Sequence, residues 1–258
     1  TLNKNIILTI HDLAFIRFPE FNFGWFIKKY TRDVGRNAHA SKKIIADSNS
    51  TKNDIVKFFK IKPRKVDVVY LAADSTFKIL ASNRINKDIL KKYKIDKKYI
   101  LSVGTIEPRK NLITLIKAFN QLKQKNAGFN YKLVIAGRTG WKSEATYRER
   151  EKSPNAEDIL FIGRIPDVDL VQIYNQAELF VYPSLFEGFG LPPLEAMSCG
   201  LPVITSNTSA LREVIGNAGI KIKPKSHNEF QKQILHVLRC NSIKDGLKKK
   251  SLTQAKKF

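Results

Sequence analysis

From residue 99 to residue 222 the chain alternates short apolar runs with amphipathic stretches, joined by connections of only a few residues. The pattern predicts strands over 99–103, 131–136, 159–162, 179–182, 202–205 and 220–222, with helices over 112–124, 167–176, 192–199 and 228–238. Strands that alternate with helices pair in parallel, because each helix carries the chain back across a face of the sheet. An α/β protein with a parallel sheet covered on both faces is therefore expected, and ligands of such sheets bind at the carboxyl ends of the strands. Gly104, Gly137, Gly163 and Gly188 each fall at such an end. One of them alone is an ordinary turn residue; four at one sheet edge mark a crevice.

The part before residue 99 is shorter and different. Residues 5–10, 43–46 and 66–70 read as strands, with an amphipathic helix around 23–37 and a second helix from Ser50, where Thr51 and Asp54 resemble a capping box. Three strands and two helices are too few to close a doubly wound sheet. The polar stretch 82–87 reads as part of a linker, which divides the chain into a partial first domain, residues 1–80, and a second domain, residues 81–258.

Between the last strands lies Glu187-Gly188-Phe189-Gly190-Leu191-Pro192-Pro193-Leu194-Glu195. A buried strand that opens into a glycine loop and then a proline-started helix aims that helix's unpaired N–H groups at the carboxyl edge of the sheet. Such a place suits an anion. Glutamates on either side do not, unless they accept hydrogen bonds from hydroxyl groups. A phosphate in the middle with polyols on both sides describes a nucleotide-sugar.

Two glutamates with seven residues between them, in this glycine-rich setting, resemble the signature of the family-four retaining glycosyltransferases of the GT-B fold. The resemblance extends to Leu101-Ser102-Val103-Gly104-Thr105-Ile106-Glu107-Pro108-Arg109-Lys110-Asn111 and to Thr9-Ile10-His11-Asp12-Leu13, and so covers nearly the whole chain. It implies one complete Rossmann-like donor domain plus the last part of an acceptor-side domain, with the final crossover helix lacking. It further implies a hexosyltransferase, mannose favoured, that uses GDP-mannose or a UDP-hexose on a glycan or lipid-linked acceptor. Arg109 and Lys110 would grip the diphosphate. The family commonly has an Arg directly after the first glycine; Thr105 stands there, and Arg109 is expected to supply the guanidinium. Glu195 would bind the ribose, and Glu187 the transferred sugar near the reacting carbon. The backbone of Gly188, Phe189, Gly190 and Leu191 would approach sugar and phosphate, Gly104 and Gly137 would line the crevice, and Gly163, Arg164 and Ile165 would carry the base. His11 would face the donor. The reaction would be same-face attack without a nucleophile, and no metal or other cofactor is expected. A nucleotide-sugar epimerase and a non-catalytic nucleotide-sugar-binding module are the competing readings.

Composition bears on partners. The net charge of +23 comes from lysines spread along the chain, which argues against a nucleic-acid face. Peripheral contact with an anionic membrane fits it, and so does a coding bias toward Lys, Ile and Asn. No apolar run approaches the length of a membrane span. Cys199 and Cys240 lack metal-like spacing and suit a reducing, cytoplasmic setting.

Overall fold

Two parallel sheets organise the chain in the computed structural model, which describes residues 5–22 and 24–258. The residues divide into two units. The smaller holds the chain up to Leu71 together with Phe186–Gly190 and Thr208–Val214; the larger holds Ala72–Leu185, Leu191–Asn207 and Ile215–Phe258.

In the smaller unit, β1 (Ile7–Ile10) leads through the short helix α1 (Ala14–Arg17) to α2 (Gly24–Ala40), β2 (Lys43–Ala46), α3 (Asn49–Phe59) and β3 (Val66–Val68). The sheet runs β1-β2-β3, all parallel, with Ile7 opposite Lys43 and Ile44 opposite Val66. Ile10, Leu13, Ala38, Ile44, Ile55 and Val66 form its core. Two strands are shorter than their apolar runs suggest, beginning at Ile7 and ending at Val68; of the helix expected at 23–37, Phe23 lies outside the described residues. The expected capping box is corrected. Ser48 caps α3 by accepting a hydrogen bond from the Thr51 N–H at 3.0 Å, while Asp54 is buried and paired with Arg17. The helix starts earlier than Thr51 because Ser48 is the first side chain able to reach those amides.

The larger unit begins with α4 (Asp88–Lys92) and alternates β4 (Tyr99–Val103), α5 (Leu112–Lys125), β5 (Lys132–Ala136), α6 (Glu144–Glu151), β6 (Ile159–Gly163), α7 (Asp167–Gln176), β7 (Leu179–Tyr182), α8 (Leu191–Ser198) and β8 (Val203–Ser206). After α9 (Leu211–Ile215) come β9 (Ile220–Ile222), α10 (His227–Arg239) and α11 (Asn241–Ala255). The sheet order is β6-β5-β4-β7-β8-β9, all parallel. The order reverses between β4 and β7, which leaves a crevice at their carboxyl ends where the connections depart to opposite faces. On one face Leu112, Leu115, Ile116, Phe119 and Leu122 of α5 pack with Phe230, Ile234 and Val237 of α10. The α5 spacing of three and four residues makes a single apolar stripe.

Helix α8 carries Pro192 and Pro193 in its first turn, where absent N–H groups cost nothing. It ends in a Schellman turn, with Gly200 at φ +69°, the Leu201 N–H bonded to Ala196 O and the Gly200 N–H bonded to Met197 O. Among the described residues, five helices not anticipated from sequence are α1, α4, α6, α9 and α11. The stretch read as linker at 82–87 lies inside the larger unit: Asn86 N–H donates to the Gln172 side chain at 2.9 Å, and Gln172 donates to Arg84 O at 2.9 Å.

Candidate functional site

The loop after β4 turns sharply. Gly104 has φ +149°, and Gly137 at the end of β5 has the same value; a Cβ on Gly137 would sit 1.9 Å from Gly104 O. Only glycine permits this approach. The gap thus opened is a cleft of about 420 Å³ lined by Gly104, Thr105, Gly137, Arg138, Arg164, Ile165 and Leu170, among others. Five residues expected from sequence, Gly104, Thr105, Gly137, Arg164 and Ile165, therefore share one wall or another of it. Gly163 helps from behind, its carbonyl accepting the Gly137 N–H at 2.8 Å. Arg138 and Leu170 were not anticipated. Arg138 directly follows a strand-end glycine, and that position could have singled it out.

Arg109 and Lys110 lie in a 3₁₀ turn, Pro108–Lys110, that leads into α5. The Asn111 side chain fixes the turn by donating to Pro183 O at 2.9 Å and Pro224 O at 2.7 Å. Lys110 is buried, with Nζ 2.7 Å from the Tyr182 hydroxyl. Arg109 lies 2.7 Å from Glu107, whose side chain is 1% exposed; the contact is an ion pair, since neither Glu107 oxygen has a well-aligned hydrogen bond. The Arg109 carbonyl accepts the Leu185 N–H at 2.9 Å, which ties the loop after β7 to the loop after β4. The cations are thus held by the chain before any ligand arrives.

Glu195 projects a turn into α8 and accepts a hydrogen bond from the Tyr174 hydroxyl at 2.9 Å. Burial pushes its carboxyl up to about 7; the Tyr174 bond acts in the opposite direction, and the charge of Asp167 adds to the rise. Tyr174 is itself fully buried and its hydroxyl is held well above the ordinary phenol range, chiefly by desolvation. Cys199, at the far end of α8, is pushed up to about 12 by burial and is inert as a nucleophile near neutrality.

The other expected residues belong to the smaller unit. His11 ends just past β1, its side chain 74% exposed and its Nδ1 2.8 Å from the buried Asp47 carboxylate. Gly188 passes so close that a Cβ would lie 2.1 Å from His11 O, and Ser48 donates to Gly188 O at 2.6 Å. Glu187 is buried, with its N–H donating to Ser209 Oγ at 2.8 Å. Phe189 packs on Tyr70 with ring centroids 6.1 Å apart. Glu213 caps α3 from the 208–214 segment, accepting from Asn49 N–H at 2.9 Å and Ser50 N–H at 2.7 Å. The nine-residue glutamate motif is therefore divided: Glu187 and Gly188, Phe189 and Gly190 go with the smaller unit, while Leu191 and Glu195 go with the larger. Asp47, Ser209 and Glu213 were not foreseen, because their partners lie far away in sequence. Among the described residues no cluster of His, Cys, Asp or Glu could hold a metal ion.

The family described as "Glycosyl transferases group 1" matches residues 85–256, most of the larger unit. The chain belongs to this family. The O-antigen chain mannosyltransferase B of Escherichia coli is 33% identical over 99% of this glycosyltransferase chain and 67% of its own length. A serotype-specific mannosyltransferase, WbdA of the same organism, is 33% identical over 83% of the chain but only 27% of itself. The chain thus spans two thirds of one such relative and about a quarter of the other. Among solved structures, HepE of Anabaena in complex with UDP and glucose superposes with a TM-score of 0.83 at 16% identity, covering 98% of this chain and 67% of HepE. At that identity the likeness establishes the GT-B fold and no more.

Proposed function

We propose that this glycosyltransferase moves a hexose, with mannose favoured, from a nucleotide-sugar to a polysaccharide or lipid-linked acceptor of the cell envelope, at the cytoplasmic side of the membrane. One observation carries the reading: the glycine-walled cleft at the carboxyl ends of β4 and β5, with the Lys110 side chain packed close to Gly104 of its wall and Arg109 next to it in the same turn. Two mannosyltransferase relatives favour mannose, and with it a GDP donor over a UDP donor.

Transfer places negative charge on the departing diphosphate and positive charge on the anomeric carbon. Lys110 and Arg109 stabilise the first. Because the Tyr182 hydroxyl and the Glu107 carboxylate already orient them, little reorganisation accompanies charge development. Glu195 accepts from ribose hydroxyls, and Glu187 from hydroxyls of the sugar. The leaving phosphate takes the acceptor's proton on the same face, so the configuration is retained, and the fixed cations do the work that a metal would otherwise do.

Calorimetric titration with GDP, UDP and ADP, with and without Mg²⁺, tests the reading. One diphosphate should bind tightly and independently of Mg²⁺. Replacing Arg109 and Lys110 by Ala should weaken it at least ~100-fold through loss of charge-assisted contacts, while the matching nucleoside binds as before. Equal diphosphate affinity in the double variant overturns the assignment.

A further inference from the structure

The smaller unit has a second cavity, of about 540 Å³, at the opposite edge of its sheet from His11 and Ser48. It lies where β2 begins at Lys43 and β3 begins after the α3–β3 connection. Six of its eight lining residues are Lys or Arg, namely Lys42, Lys43, Lys60, Lys62, Arg64 and Lys65, whereas across the chain they number 46 in 258. A coding bias spread evenly would place one or two there.

Local electrostatics accounts for only part of this crowd. Helices α2 and α3 both end at this edge, and each terminus contributes about half a negative charge, which cations there complement. Asp67 adds one more, held by Lys43 Nζ at 2.9 Å. Against six cations, roughly four positive charges remain uncompensated. Two of the six are prepositioned: Lys43 also donates to Arg64 O at 3.3 Å, and Lys65 donates to His39 O at 2.8 Å. Lys42, Lys60, Lys62 and Arg64 are exposed and, among the described residues, make no ion pair. Lys60 also holds an αL conformation, φ +53°, which turns the chain after α3 into the cavity wall. His39 is the one ring among the lining residues, and no Phe, Tyr or Trp stands there as a platform for successive bases.

We propose that this pocket binds a phosphate-bearing anion of two or more negative charges, either a free phosphate compound or the headgroup of an anionic phospholipid. It is separate from the proposed donor site, which uses carboxyl strand ends. The crowded cations repel one another when the pocket is empty, and a multivalent phosphate relieves that repulsion while accepting several charge-assisted hydrogen bonds.

The test uses the full chain and two variants. One carries Lys42→Gln, Lys60→Asn, Lys62→Gln and Arg64→Gln, with Asn chosen for its tolerance of the αL conformation. The other carries Lys248→Gln, Lys249→Gln, Lys250→Gln and Lys257→Gln, all exposed and remote in sequence, and loses the same charge. Inorganic diphosphate is titrated while the amide resonances of residues 42–44, 60–62, 64 and 65 are followed, a readout local to the pocket. In parallel, vesicles of phosphatidylcholine alone, or mixed with phosphatidic acid, are sedimented with each protein. Binding of diphosphate that falls ~30-fold or more only in the pocket variant supports a free phosphate ligand. The same selective loss confined to phosphatidic acid vesicles supports a lipid headgroup. Equal loss in both variants, or no response of either probe, overturns the proposal.

Discussion

Replacing Glu195 with Gln removes a carboxyl that burial has moved from 4.5 to about 7. A carboxylic acid whose folded value lies above its unfolded value keeps its proton in the native state across that interval, whereas the unfolded chain releases it. The contribution of Glu195 to stability therefore falls as pH rises from 4.5 to about 7 and stays reduced above it. At about 1.4 kcal/mol per pH unit the full penalty is roughly 3 kcal/mol. The Gln variant has no such penalty and keeps a carbonyl for the Tyr174 hydroxyl. In urea unfolding, wild type and variant should be similar at pH 4.5, and the variant should be more stable by up to ~3 kcal/mol at pH 8. Nucleotide binding should show the reverse preference. Ribose hydroxyls donate to the ionised carboxylate, so wild-type affinity should drop about tenfold between pH 8 and pH 6, beyond the change in the variant, which carries only the ligand's own ionisation. Parallel pH profiles for the two proteins, in both unfolding and binding, would refute the reasoning.

Three further outcomes are expected. Glu187→Ala should leave free nucleoside diphosphate affinity near the wild-type value while impairing binding or transfer of the intact nucleotide-sugar; comparing the two ligands by calorimetry checks this, and equal losses would reassign Glu187. Gly188→Ala should destabilise the smaller unit by more than ~2 kcal/mol, since its Cβ would lie 2.1 Å from His11 O, and the drop should appear in the denaturant midpoint. Limited digestion with a nonspecific protease should cut in the exposed, irregular segment 72–76 in preference to 82–87, where Leu80 and Asn86 amides are pinned by Asn175 and Gln172; early cleavage at 82–87 would contradict the hydrogen bonds.

The sheet of the larger unit was legible because its strands are buried on both faces and read as unbroken apolar runs; 99–103 and 179–182 match residue for residue. Helix α6, with the sequence EATYRERE, has almost no apolar periodicity, and the lysines of α11 dilute its buried positions Leu247, Ser251 and Gln254. Those helices form because neighbours hold them, which a local pattern does not record. Of the four strand-end glycines read as marking a crevice, Gly104 and Gly137 line the cleft, while Gly163 and Gly188 are not among its lining residues. The cap on α3 was not legible: Ser48 precedes the residues that resemble a capping box, and Glu213 lies 164 residues from Asn49. The division of the glutamate motif between two units was equally hidden, since nothing in its nine residues states which hydrogen-bond partners each half will find.

That long separation has a consequence for biogenesis. The amide end of α3 and the Ser48 hydroxyl wait for Glu213 and Gly188, and Gly188 is made 140 residues after Ser48. At ribosomal rates of ~5–20 residues per second, Ser48, Asn49 and Ser50 spend on the order of ten seconds or more with these partners still unsynthesised. During that interval the nascent segment carries polar groups whose partners do not yet exist, a natural substrate for holdase chaperones. The smaller unit is completed from its last-made pieces, so translation speed through residues 186–214 sets when it can become native.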